Sequence, residues 1–185
     1  MNMEYAQASC QEATAARNIA EAAKVKEHLT IPLPFFKDIQ NRHRPLNQQS
    51  DTISSAYVPA RNIIFYGVAV AYAETLDADT IVFGSNGDDA KELPDATADF
   101  IQRFEDLIGT GTRMGVNETP PKILNPLINL SKEDVLRLAV TLRVPLELTW
   151  SCYEDVEVPC GKCRGCRMRL NAFTKLKMAD PLGYA

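Results

Sequence analysis

The sequence predicts an α/β protein, a parallel sheet flanked by helices. Three observations carry that expectation. Helical stretches alternate with short apolar runs rich in Ile, Val and Phe, each apolar run is bounded by proline, glycine or polar residues, and no internal repeat or low-complexity tract interrupts the alternation. The 185 residues are 45% hydrophobic and 24% charged, which suits one soluble domain able to bury a core without disulfide staples.

From Ser9 to Lys26, Ala13, Ala16, Ile19, Ala20 and Ala23 recur at helical spacing among polar residues, so this stretch reads as an amphipathic helix. Met1 to Gln7 is too short to read as a full strand and turn. Glu27 to Leu33 reads as a buried strand stopped by Pro32 and Pro34, which lack the N–H that a ladder needs. A short helix follows at Phe35–Asn41. Arg42–Tyr57 is polar and aperiodic, and reads as a long loop. A helix is predicted from Asn62 to Leu76, a buried strand at Thr80–Gly84 and a loop at Ser85–Leu93. Asp95–Ile108 reads as a helix ended by Gly109 and Gly111, with Asp95 partly a cap, and Lys122–Pro126 as a strand. Ser131-Lys-Glu-Asp134 resembles a capping box opening a helix to Leu142, and a last helix runs from near Gly165 to Met178. Open parallel sheets bind ligands beyond the carboxyl ends of their strands, which points to the loop from Gly84 to Leu93 and the turn around Asn125-Pro126.

Lys and Arg total 20 against 24 Asp and Glu, a net charge of −4, which disfavours direct nucleic-acid binding and favours small-molecule partners. No apolar run approaches the roughly 20 residues that a bilayer crossing needs, and no secretory leader pattern opens the chain, so a cytoplasmic protein is expected.

Four of the five cysteines, Cys152, Cys160, Cys163 and Cys166, are separated by seven, two and two residues. Two overlapping C-x-x-C steps let neighbouring thiolates converge on one ion, and the longer loop returns Cys152 as the fourth ligand. Four thiolates leave no open position for water, so the expectation is structural Zn2+ pinning the last helix to Trp150-Ser151. An iron–sulfur cluster is the weaker alternative, because the closing Cys-Pro of the ferredoxin run is missing, and a redox dithiol is weaker still. Cys10 reads as a small, partly buried apolar residue. His28 and His43 have no partner at ligand spacing, which disfavours a histidine mechanism. Asp88, Asp89 and Asp95 suit a magnesium site, helix caps or a solvated face. Arg61-Asn62 after Val58-Pro59-Ala60 suits an anionic ligand at a helix start, or simply a proline-initiated helix with a solvated arginine. Neither Gly-rich phosphate-loop pattern occurs.

Tyr57-Val-Pro-Ala-Arg-Asn62, Gly84-Ser-Asn-Gly-Asp-Asp89, Pro94-Asp95, Leu148-Thr-Trp-Ser-Cys-Tyr-Glu154 and Pro159-Cys-Gly-Lys-Cys-Arg-Gly-Cys166 together resemble the 7-cyano-7-deazaguanine synthase family, in that family's order and from about Tyr5 onward. The resemblance implies an adenine nucleotide alpha-hydrolase-like (Rossmann-like) domain over 1–148 and a zinc-binding helical segment over 149–185. It implies ATP- and Mg2+-dependent conversion of a 7-deazapurine acid, 7-carboxy-7-deazaguanine, with ammonia to the nitrile that feeds queuosine or archaeosine in tRNA. Carried over by motif, Arg61 and Asn62 flank nucleotide and substrate, and Asn86, Asp89 and Asp95 face the substrate or a metal. The family's opening Ser-Gly-Gly-x-Asp-Ser, which wraps the pyrophosphate of ATP, is not found here. The expectation is therefore a truncated chain, a homodimer or a chain completed by another polypeptide. Where the family has Ser-Gly-Tyr-Pro-Asp-Cys-Arg, this chain has Lys91-Glu-Leu-Pro-Asp-Ala-Thr97. The competing readings are a non-catalytic paralogue that keeps the zinc site, and a zinc module that binds RNA.

Overall fold

A computed structural model describes residues 1–5, 10–42 and 57–185. In chain order the elements are β1 (Asn2–Glu4), α1 (Cys10–Ala22), β2 (Thr30–Pro32), α2 (Phe36–Arg42), α3 (Arg61–Leu76), β3 (Thr80–Val82), α4 (Gly87–Ala90), α5 (Ala98–Gly111), α6 (Arg113–Val116), β4 (Lys122–Leu124), α7 (Lys132–Thr141) and α8 (Arg164–Lys175). The chain divides into two compact units, Met1–His43 with Lys132–Ala185, and Arg44–Ser131. The protein is α/β, with short parallel sheets and helices. No helix among the described residues is long and apolar enough to cross a membrane.

In the first unit β1 and β2 pair in parallel, Asn2 opposite Thr30 and Glu4 opposite Pro32. Parallel strands need a crossover of a dozen or more residues, and α1 supplies it. Residues 29, 31 and 33 face β1, so the nitrogen of Pro32 points away from the pairing and its missing N–H costs no rung; the Leu33 N–H donates to the Glu4 carbonyl at 2.7 Å. Farther along, α7 and α8 pack through buried Leu136, Ala172 and Phe173, with Leu146 and Leu176 against them. Lys175 on α8 pairs with Glu133 on α7.

In the second unit β3 and β4 pair in parallel, Thr80 opposite Lys122 and Val82 opposite Leu124, joined by a crossover through α4, α5 and α6. Helix α3 buries Tyr66, Ala69, Val70 and Ala73, the i, i+3, i+4, i+7 stripe of a helix laid on a core. That stripe meets Ile81 of β3, Ile123 of β4, and Ile101, Phe104 and Ile108 of α5. Tyr66 lies flat on Phe83, with ring centroids 3.7 Å apart, and meets Phe100 and Phe104 edge-on.

The described strands form two two-stranded parallel sheets, β1 with β2 and β3 with β4, and the expected parallel pairing holds within each. Several expectations need correction. Periodicity does not reveal β1, which is three residues long, although Met3-Glu-Tyr-Ala-Gln7 resembles the end of the family's second strand. The loop after β3 contains a helical turn, α4, and α5 starts after Thr97 instead of at Asp95. Thr97 accepts the Phe100 N–H and is the cap, and α5 runs through Gly109 to Gly111. Most of the expected Arg42–Tyr57 loop, and His43 with it, lies outside the described residues.

Candidate functional site

The cysteine cluster is built by one turn and one helix start. Cys163 is the residue before α8, and its sulfur accepts the Cys166 N–H at the helix N-terminus. Gly161 adopts a left-handed φ of 67° between Cys160 and Cys163, a conformation a side chain would strain. Gly165 passes so close to the preceding segment that a Cβ there would lie 1.9 Å from the Ser151 carbonyl oxygen. Each glycine brings backbone where the sulfurs must converge.

The four Sγ atoms lie within 4.8 Å of one another, and none of these cysteines forms a disulfide. Cys163 and Cys152 sulfurs are 3.9 Å apart. Four sulfurs at about 2.3 Å from a shared tetrahedral ion would stand about 3.8 Å apart, so the donor set fits a metal ion. Backbone N–H groups already point at the sulfurs: Cys160 N–H to Cys152 at 3.5 Å, Lys162 and Cys163 N–H to Cys160 at 3.4 and 3.3 Å, and Tyr153 N–H to Cys163 at 3.4 Å. Such donors favour thiolate over thiol. Those from Cys163 and Lys162 hold the Cys160 thiol down to about 7, while burial pushes Cys166 up to about 12. The Trp150 indole N–H donates to the Cys152 carbonyl at 2.9 Å and braces that residue. Cys10 stands outside the cluster, exposed, with its backbone N–H on Asp155.

In the second unit four of the five remaining predicted residues fall into two hydrogen-bonded pairs, and Arg61 bonds to one of them. Asn62 sends its backbone N–H to Asp95 Oδ2 at 3.2 Å, and its amide to Oδ1 at 3.3 Å. Asp95 is buried, so a carboxylate of the protein itself sits on the α3 N-terminus that Arg61-Asn62 was expected to offer to an anion. The Arg61 Nε donates to Asn62 Oδ1, and its guanidinium lies 5.9 Å from the Phe65 ring centre. The second pair is a reciprocal cap on α4: Asn86 accepts the Asp88 and Asp89 N–H groups, while the Asn86 N–H donates back to Asp89 Oδ2. Asp88 pairs with Lys91 at 2.9 Å. Burial, with the Asp95 charge adding to it, pushes the Tyr66 phenol of this unit up to about 12.

The loops that leave β3 and β4 are joined by the Gly87 N–H, which donates to the Leu130 carbonyl at 2.8 Å; a Cβ on Gly87 would press on that carbonyl at 3.1 Å. On the β4 side stands a residue that sequence reasoning placed near the pocket without giving it a role. Asn125 follows the last β4 residue, and both amide atoms are shut off from solvent with no hydrogen-bond partner among the described residues. Each such atom costs on the order of 1–3 kcal/mol if it stays unmet. The signal available in the sequence was only its position at a strand's carboxyl end.

Compared with known proteins, residues 1–177 match the family model described as queuosine biosynthesis protein QueC. A 7-cyano-7-deazaguanine synthase of Thermosynechococcus vestitus is 40% identical over an alignment spanning 100% of this chain and 84% of that protein. Proteins of the same name from Nostoc punctiforme and Acetivibrio thermocellus are 37% and 38% identical, each over 100% of this chain and 87% and 85% of their own lengths.

Proposed function

We propose, from the premise that this chain belongs to the QueC family of queuosine biosynthesis proteins, that it is an enzyme forming 7-cyano-7-deazaguanine from 7-carboxy-7-deazaguanine and ammonia, with ATP as the activating reagent. The observation that carries the reading is the match along the whole chain to relatives named for that synthase. The chemistry needs a leaving group where the acid offers a poor one. A carboxylate oxygen attacks the α-phosphorus of ATP and pyrophosphate departs; ammonia then attacks the acyl carbon and AMP leaves with the carboxylate oxygen. The resulting amide oxygen is activated in the same way, and loss of AMP and a proton leaves the carbon–nitrogen triple bond. Magnesium, when bound with ATP, neutralises phosphate charge.

In this reading the 1–148 part has the adenine nucleotide alpha-hydrolase-like fold. Arg61 supplies a cation on the nucleotide side, and the Asn62–Asp95 and Asn86–Asp89 pairs shape the substrate side. Cys152, Cys160, Cys163 and Cys166 hold Zn2+, supported by the spacing of their sulfurs and the N–H groups aimed at them. With every position filled by thiolate, the ion is structural and ties 149–185 together.

The test is incubation of the purified chain with 7-carboxy-7-deazaguanine, ATP, Mg2+ and ammonium, followed by mass spectrometry. Amide and then nitrile, with release of AMP and pyrophosphate, are expected. Failure to form either product while the protein is folded, zinc-loaded and supplied with the family's Ser-Gly-Gly-x-Asp-Ser loop, in the same chain or from another, overturns the reading.

A further inference from the structure

We propose that Asn125 is a specificity-determining residue that reads the lactam edge of the heterocyclic substrate. The inference deepens the function proposed above and rests on it. Asn125 opens a β-turn, closed by the Ile128 N–H donating to the Asn125 carbonyl at 3.2 Å, with Pro126 at the second position. Proline fixes its own φ and restricts the residue before it, so the backbone that presents this amide is held in advance. An asparagine at the head of such a turn ordinarily folds its side-chain oxygen onto the N–H two residues on. Asn125 does not: neither Oδ1 nor Nδ2 meets a partner among the described residues.

The contrast with Asn86 sharpens the assignment. Asn86 stands just after the neighbouring strand and is 3% exposed, but its oxygen and amide nitrogen are both spent on α4, the latter on Asp89 at 2.6 Å. Of these two amides at the carboxyl ends of β3 and β4, Asn125 is the one left with a donor and an acceptor to give. Buried polar groups in folded proteins are nearly always satisfied by protein, water or ligand, and strand carboxyl ends are where α/β sheets take ligands.

A primary amide offers one donor beside one acceptor, the pattern that pairs two-point with the edge of a purine. A 7-deazapurine has carbon in place of N7, so its five-membered ring offers no acceptor there. The six-membered ring offers such edges, N1–H with O6 and N2–H with N3, and we assign the lactam one: N1–H toward Oδ1 and the carbonyl O6 toward the Nδ2–H. Adenine presents a comparable N6–H and N1 edge, so the nucleotide is the competing source of the same chemistry.

The experiment compares the full chain with Asn125→Leu, close in volume and without polar atoms, and Asn125→Asp, which keeps the acceptor and loses the donor. Michaelis constants are read for 7-carboxy-7-deazaguanine and for ATP, and binding of 7-deazaguanine and of adenosine is read by calorimetry. Asn125→Leu is expected to weaken the deazaguanine and its acid by about ten- to a hundredfold, leaving ATP unchanged and thermal stability equal or higher. Asn125→Asp is expected to fall between, and decides the matter if the leucine variant does not fold. Loss of ATP or adenosine binding in place of the deazaguanine overturns the assignment, as does an unchanged constant for both. Nitrile formation with variant constants unchanged sinks the role of Asn125 alone. Deazaguanine binding that depends on Asn125 without any nitrile formation sinks the synthase reading alone, and wild-type protein showing neither overturns both.

Discussion

Arg169 and Asp180 form a two-point ion pair sealed from solvent: Nε to Oδ2 at 2.6 Å and Nη2 to Oδ1 at 2.8 Å, with 7% and 4% of the two side chains exposed. The guanidinium also donates to Thr149 Oγ1 and the Leu146 carbonyl, and lies over the Phe173 ring. Asp180 in turn accepts from the Tyr184 hydroxyl and the Leu182 N–H. One charge pair thus fastens α8 to the segment leading into Trp150 and Cys152 on one side, and to the last residues of the chain on the other.

Replacing Asp180 by Ala strands a buried guanidinium, and a loss of about 3–5 kcal/mol is expected. Urea unfolding followed by circular dichroism measures it. A midpoint and slope equal to wild type would show that the pair is dispensable.

The same pair predicts an acid response. Burial alone would raise the Asp180 pKa, but hydrogen bonds from Arg169, Tyr184 and Leu182 hold it below the usual carboxylate value. A depressed folded value means that the stabilisation is present above the unfolded value of about 3.9 and is lost as pH falls through the folded one. Asp180→Asn should therefore be less stable than wild type at neutral pH, with a flatter decline below about pH 4. Parallel curves for the two proteins would refute the linkage.

Cys163→Ser removes a ligand and the sulfur that caps α8, so the variant should release zinc and melt at lower temperature. Metal content by mass spectrometry and a thermal scan read both effects; retention of zinc together with an unchanged melting temperature would rule out the site. Gly165→Ala, which leaves all four cysteines in the sequence, should also lose metal, because a Cβ 1.9 Å from the Ser151 carbonyl oxygen forces that carbonyl back and Cys152 with it. Overpacking of this kind costs about 1–3 kcal/mol or more.

Thr97→Ala should cost about 1 kcal/mol by uncapping α5. Asp95→Ala leaves that cap intact and instead frees the Asn62 N–H and amide, so its effect should be felt at the start of α3. Hydrogen exchange resolved by helix separates the two, and protection lost at α5 in Asp95→Ala would reverse the assignment.

That last pair also shows where the sequence was legible. Asp95 before Ala96-Thr97-Ala98 looked like a cap because Asp and Thr compete for the role within three residues; choosing between them depends on Asn62, 33 positions away, which no local pattern reveals. Helix α3 was readable because an apolar face repeats over 16 residues. The strand at Ile81, Val82 and Phe83 was readable because three apolar residues stand together, although only Ile81 is buried and Val82 lies exposed; Asn2–Glu4 carries no such run. The cysteine cluster was legible from spacing alone, since short C-x-x-C steps confine the sulfurs whatever the rest of the chain does. Asn125 was not, because its significance lies in hydrogen bonds that it fails to make.

Trp150 is the only tryptophan in the chain, and its indole N–H rests on the carbonyl of Cys152. The protein therefore has a built-in optical reporter beside its four clustered cysteine sulfurs. Its ultraviolet emission comes from one place, so stripping the ion with a chelator, restoring it, or loosening the 149–185 segment should each be visible in unlabelled protein as a change in the colour and yield of a single fluorophore.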